Sequence, residues 1–228
     1  MARLLTQILG VMSGSVGDIV FRRRGGRSFV CARPSGYTKR TDAATVARKK
    51  QFKTAVEIAK NINDIPLLKA VWPADPSKLV SRFQKMVSVN YKLVSGADLT
   101  GQPTLTPTLG FEMTTPLLQL NAATVHFTAD ALGVDLGIDT SIEKFYTVVG
   151  LIVMKDPTDQ LSPDISVLKF KTIQHNLDLI TEIDVSVPLS GMDQQILAKY
   201  TVKRAFFAFL TLDDNGQVVK HSATYGSL

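Results

Sequence analysis

The side chains of this 228-residue chain that could do chemistry are three histidines, one cysteine and a cluster of arginines near the start. His126, His175 and His221 fall on three separate predicted β segments. None has a neighbour at metal-ligand spacing, and no HxxxH, CxxC or HxE pattern occurs. They read as satisfied or exposed histidines. Cys31 alternates with Phe29 on a predicted strand and reads as a small buried hydrophobe; a catalytic thiol would need a base, and none can be placed. A single cysteine also forms no internal disulfide. SGSVG, residues 13–17, lacks the spacing of a nucleophile elbow and the GK[ST] of a phosphate loop, so it reads as a turn. Asp213, Asp214 and Asn215 read as a hairpin loop, because no further calcium ligands follow at the needed positions. No catalytic, cofactor or metal residue is therefore assigned, and no enzyme is expected. An enzyme would need a polar pocket that the sequence does not advertise.

The arginines are different. VMSGSVGDIVFRRRGGRSFVCARP, residues 11–34, carries Arg22, Arg23, Arg24, Arg27 and Arg33, with Lys39 and Arg40 just beyond. Arginine forks suit phosphate contacts, and the interleaved Phe21, Phe29 and Tyr37 could stack on bases. DIVFRRR and RSFVCAR alternate apolar and charged residues, which predicts a β-hairpin. Gly25 and Gly26 between them tolerate the positive φ angles of a tight turn. Gly14 and Gly17 signal a sharp bend just before. Alternation is expected to turn Phe21 and Phe29 toward a core and to send odd- and even-numbered arginines to opposite faces. A strand pair with arginine on both faces suits insertion between acidic neighbours, and an edge hairpin suits strand addition to another copy. Three readings follow: a clip between subunits, a grip on nucleic acid, and a plain solvated face. The clip is preferred.

The elements that must position this hairpin follow along the chain. Thr41-Asp42 offers a helix N-cap. Phe52, Ala55, Val56, Ala59 and Ile62 recur at helical spacing. IPLLKAVW is a short connecting segment. Ser77 can cap a second helix, with Val80, Phe83, Met86 and Val87 facing in. Residues 95–116 are rich in Gly, Thr and Pro and predict a linker, or an arm lying along another surface. Beyond residue 117 the period becomes two. Strands are predicted at LLQLNAATVHFTA, GVDLGIDT, FYTVVGLIVMK, ISVLKFKTI, LITEIDVSVPL, AKYTVKRAFFAFLTL and QVVKHSATYG, with turns at Asp156-Pro157, Ser190-Gly191 and Asp213–Gly216. AFFAFL, almost wholly apolar, is placed as a central strand.

Composition agrees with a folded chain. Apolar residues make up 45% and charged residues 20%, which excludes global disorder. The net charge of +6 hides a split. Residues 1–92 hold 18 Lys/Arg against 5 Asp/Glu, while residues 93–228 hold 8 against 15. A basic front can meet a polyanion, or the acidic back of the next copy. MARLLTQILGVMSG starts like a short export signal, but Thr6 and Gln7 break its apolar run and no convincing cleavage site follows, so export by that route is not expected. No run of about 18 apolar residues exists, so no membrane-spanning helix is expected.

Three segments carry a resemblance. SGSVGDIVFRRRGGRSFVCARP, TDAATVARKKQFKTA and FFAFLTLDDNGQVVKHSATYG resemble the two ends of a family of short uncharacterised bacterial proteins, mostly from Bacteroidetes and related groups. The likeness covers both ends well and the middle only in outline. It carries no activity onto any residue. The pattern is similar to structural proteins of phage-like particles or other repeated assemblies. RRRGGR is more basic than expected of a member, which leaves room for phosphate binding.

Together these readings predict an α+β protein: an N-terminal β-hairpin and two helices, then an Ig-like antiparallel β-sandwich. The divisions expected are a basic assembly region at 1–94, an arm or linker at 95–116 and the sandwich at 117–228. The function expected is that of a non-enzymatic structural protein. It would build a virion or phage-like shell, tube or filament through its basic hairpin and arm. Its partners would be other copies of itself and possible further particle proteins. It would be made in the cytoplasm and reside in the assembly, with no cofactor. The alternative is a nucleic-acid-binding protein that uses the same arginines.

Overall fold

The structure, a computed structural model, describes residues 2–3, 13–24, 27–36, 41–73, 80–96, 98–107 and 110–227. In chain order, β1 is Ala2–Arg3, β2 Gly14–Val16, β3 Ile19–Arg24 and β4 Arg27–Ala32. Three helices follow: α1 Ala43–Asp64, α2 Pro66–Val71 and α3 Arg82–Tyr91. Then come β5 Val94–Ser95, β6 Asp98–Leu99, β7 Leu117–Leu120, β8 Thr124–Ala129, β9 Phe145–Pro157, β10 Ile165–Lys171, β11 His175–Asn176 and β12 Ile183–Pro188. A short helix α4, Gly191–Ala198, precedes β13 Tyr200–Leu212, β14 Val218–His221 and β15 Tyr225–Gly226. The fold is α+β, with an N-terminal hairpin and sandwich-like antiparallel sheets.

The larger sheet has the order β10-β9-β13-β14, with β11 on β9 and β15 on β13. The smaller has the order β12-β8-β7. Between the two sheets lies one core. Val148, Ile152 and Met154 of β9 and Phe207 and Phe209 of β13 meet Val125 and Phe127 of β8 and Ile183 and Val185 of β12. The opposite side chains of the same long strands, Val149, Leu151, Val153, Phe206, Ala208 and Leu210, form a second core with Ile58, Ile62, Leu68, Trp72 and Met86 of the helical region. β9 and β13 are thus covered on both faces, which is why FYTVVGLIVMK and AFFAFL are continuous apolar runs rather than alternating ones. Each fully buried Leu, Ile or Phe contributes about 1.5–3 kcal/mol relative to exposure.

Local signals explain the helices. The Asp42 side chain accepts from the Thr45 amide at 3.0 Å and starts α1. Ile58, Ala59 and Ile62 then join the core against the sheet and Ala55 is buried beside them, while Phe52, expected to face in, is 57% exposed. It lies one turn before the stretch that reaches the core. α3 begins later than expected. Its cap is Ser81, in a capping box with Gln84, and Val80 lies outside it and exposed. Ser77 falls outside the described residues. Ser190-Gly191, expected as a turn, opens α4, because Ser190 caps it with Asp193 at the third helical position. GVDLGIDT, expected as a strand, is loop; Gly133 and Gly137 both have positive φ there. LLQLNAATVHFTA divides into β7 and β8, which pair with each other.

The described part of the 95–116 segment lies on this chain's own surface. Trp72 Nε1 donates to the Leu105 carbonyl at 2.8 Å. Asn90 Nδ2 donates to Thr104 O at 3.1 Å and Thr104 N donates back to Asn90 Oδ1 at 2.9 Å. Leu105 N donates to Thr224 Oγ1, Thr106 Oγ1 to Ser222 O, and Met113 N to Tyr225 Oη. These bonds satisfy the backbone of a strand-poor segment by running it beside β14 and β15.

Candidate interaction surface

The basic hairpin is part of a four-stranded antiparallel sheet of order β1-β4-β3-β2. Gly17, at φ +54°, turns the chain from β2 into β3. The β3–β4 register sets Ile19 opposite Ala32, Val20 opposite Cys31, Phe21 opposite Val30, Arg22 opposite Phe29, Arg23 opposite Ser28 and Arg24 opposite Arg27. Paired residues share a face of the sheet and neighbours along a strand alternate. Phe21 and Phe29 therefore lie on opposite faces, not together as their spacing suggested. The reason is the two-residue connection, which pairs an odd position with an even one. One face gathers Val16, Ile19, Phe21, Val30 and Arg23. The other gathers Val20, Cys31 and Phe29 with Arg22 and Arg27.

Neither face is a closed core. Among the described residues, none of this sheet belongs to either hydrophobic core of the molecule. Val16 is 65% and Ile19 46% exposed, and Phe21, Phe29, Val30 and Cys31 are only half-buried. Arg22, Arg23, Arg27 and Arg33 are exposed. No described carboxylate pairs with any of them. The Arg33 amide donates to the Asp18 carbonyl at 2.6 Å and closes the base of the hairpin. Gly14, at φ +106°, opens β2. Gly25, Gly26, Tyr37, Lys39 and Arg40 lie outside the described residues, and Arg24 is described by its backbone pairing alone.

Charge is treated differently in the helical layer. Lys50 of α1 pairs with Asp164 at 3.2 Å, Lys169 with Asp64 at 3.4 Å, and Lys155 with Asp98. The two halves of the chain thus meet within one molecule through α1, by Lys50–Asp164 and Lys169–Asp64. The arginines of the sheet do not share in this matching.

The remaining chemistry-bearing residues are dispersed. His126 Nε2 lies 2.7 Å from Asp184 Oδ1 on the outer face of the small sheet. His175 stacks on Tyr146 with ring centroids 5.2 Å apart. Half-buried His221 ends β14, and burial pushes its pKa below the usual imidazole value. No group of three or more metal-ligating side chains occurs among the described residues. Cys31 donates weakly from Sγ to the Val20 carbonyl at 3.7 Å. Glu143 is 1% exposed; its Oε1 accepts from the Asp139 amide at 3.0 Å and sits 3.4 Å from Lys220 Nζ. The lysine also donates to the Gly137 carbonyl, so it acts as an internal cation for the loop. A groove of about 660 Å³ runs between β7 and the start of β13. It is lined by leucines, amides, Thr201, Lys203 and Ser227.

The His126–Asp184 contact was not visible from spacing, since the two residues are 58 positions apart. Its only signal was that both sit on outward positions of alternating strands. Searches of protein families, curated proteins and solved structures return no match to this chain.

Proposed function

We propose that this protein is a non-enzymatic structural protein that self-assembles into a repeated particle, such as a virion or phage-like shell, tube or filament. The observation that carries the reading is the N-terminal sheet. It has two sheet edges, exposed apolar residues and four arginines whose side chains pair with no described carboxylate, and none of its described residues joins either core. An amphipathic sheet of this kind gains burial only by meeting another surface. The described arm residues are engaged by their own chain, so docking falls to the sheet.

A second reading rests on the face that holds Arg22, Arg27 and half-buried Phe29. Arginines beside an aromatic ring suit a phosphate backbone with base stacking. The two readings separate in one experiment. The purified full-length protein is followed by light scattering and negative-stain microscopy at low and high salt, with and without nuclease. Self-assembly predicts regular particles that survive nuclease. A monomer that becomes large only with DNA or RNA, and releases it steeply as salt rises, overturns self-assembly in favour of nucleic-acid binding. A monomer under every condition overturns both.

A further inference from the structure

The acidic end of the small sheet has the chemistry that the N-terminal sheet lacks. β8 and β12 pair Ala129 with Ile183 and Thr128 with Asp184. Continuing that register sets Asp130 opposite Glu182, just past the ladder. Alternation places Asp130, Glu182 and Asp184 on the outer face, because Ala129, Ile183 and Val185 point into the core. Leu117 of β7 pairs with Thr128, so it joins the same outer row, and it is 43% exposed. The adjoining loops are tied together by a bond from the Gly133 amide to the Leu179 carbonyl at 2.9 Å. They add Asp135 and Asp178, with Val134 79% and Ile180 87% exposed. Residues 130–136 and 177–185 carry five carboxylates and no lysine or arginine. This end of the molecule is therefore acidic with exposed apolar residues, while the N-terminal sheet is basic with exposed apolar residues.

We infer that the outer face of the small sheet, at its Asp130–Glu182 end, is the receiving surface for the N-terminal sheet of a second copy of this chain. The inference rests on the self-assembly reading and names the other half of its contact. Two features choose this occupant. Charge is complementary: exposed, unpaired arginines face a patch of carboxylates, with apolar side chains on both sides to exclude water. Docking on the same chain would pair those arginines with described carboxylates, and none is so paired. Sheet-to-sheet contact between two basic hairpins would set like charges together. The contact is thus heterologous, one surface of a copy meeting a different surface of the next, and it generates rings or open filaments.

The test is a charge swap in the full-length chain. One variant carries Asp130→Lys, Asp135→Lys and Glu182→Lys; these three exposed side chains make no hydrogen bond or ion pair within the described molecule. The other carries Arg22→Glu, Arg23→Glu and Arg27→Glu. Folding of each is checked by urea unfolding read from Trp72 fluorescence. Each variant alone should associate at least about tenfold more weakly than wild type, since like charges would meet at every contact. Mixing the two should restore assembly, because each then offers what the other lacks. If the acid-reversed variant assembles like wild type, or the mixture stays dissociated, this surface is not the receptor, and wild-type particles still uphold self-assembly. If wild type itself forms no particles, the self-assembly reading fails and this inference fails with it.

Discussion

His221 shows how a single side chain reports on the packing around it. It ends β14, and its carbonyl accepts from the Phe111 amide at 3.0 Å, so the strand holds it half-buried. Burial disfavours the imidazolium, so its folded-state pKa lies below the ordinary 6.5. In the unfolded chain it titrates near that ordinary value. Between the two pKa values the unfolded state therefore binds more protons, and stability rises with pH there. Stability is full above about pH 6.5 and falls as pH drops through the folded-state pKa. A His221→Gln variant should lose this slope. Urea midpoints of both proteins between pH 8 and pH 5 check it; parallel curves would show that His221 is not held neutral by the fold. Asp42, Asp139, Asp159 and Asp178 do not confuse that window. Each is lowered from 3.8, chiefly by side-chain hydrogen bonds, so their protonation acts at more acidic pH.

Among the elements, β9 depends on Gly150. Its register places it between Phe170 of β10 and Phe207 of β13. A Cβ built there would lie 2.3 Å from Phe170 Cζ and 2.3 Å from the Phe206 carbonyl oxygen. The absent side chain lets the Phe170 ring lie across the strand, and that ring is nearly fully buried. Gly150→Ala should destabilise the protein by about 1–3 kcal/mol through overpacking. Chemical denaturation checks this, and an unchanged midpoint would mean that the ring moves aside freely. Elements of this kind explain what was legible in the sequence. The two long apolar strands, the Asp42 cap and the helical period of α1 were readable, because each depends on neighbours a few residues away. The Phe21–Phe29 relation was not, because register depends on a turn rather than on either strand's pattern. α4 was hidden because Ser190-Gly191 is both a turn signal and a good helix start. Phe52 misled because helical spacing continues beyond the part of α1 that the sheet covers.

At the scale of the whole molecule, the two-core body and the N-terminal sheet answer to different forces. Helices, large sheet and small sheet share long strands whose two faces hold separate cores, so removing any one layer would strip the others. The N-terminal sheet gives no described residue to either core, and its arginines have no described acidic partner. The charge split was readable from sequence, but not its division into a half matched within the molecule and a half left over. Lys50–Asp164 and Lys169–Asp64 join α1 to the acidic half, yet exposed pairs of this kind contribute only about 0–1 kcal/mol each. The body's stability should therefore come from its cores. A chain lacking residues 2–36 should unfold at nearly the urea midpoint of the full-length protein, read from Trp72, which is fully buried against the large sheet. The same truncated chain should remain a monomer where the full-length protein forms particles. A large loss of stability would make the sheet part of the body. Particles formed without it would move the assembly contact elsewhere.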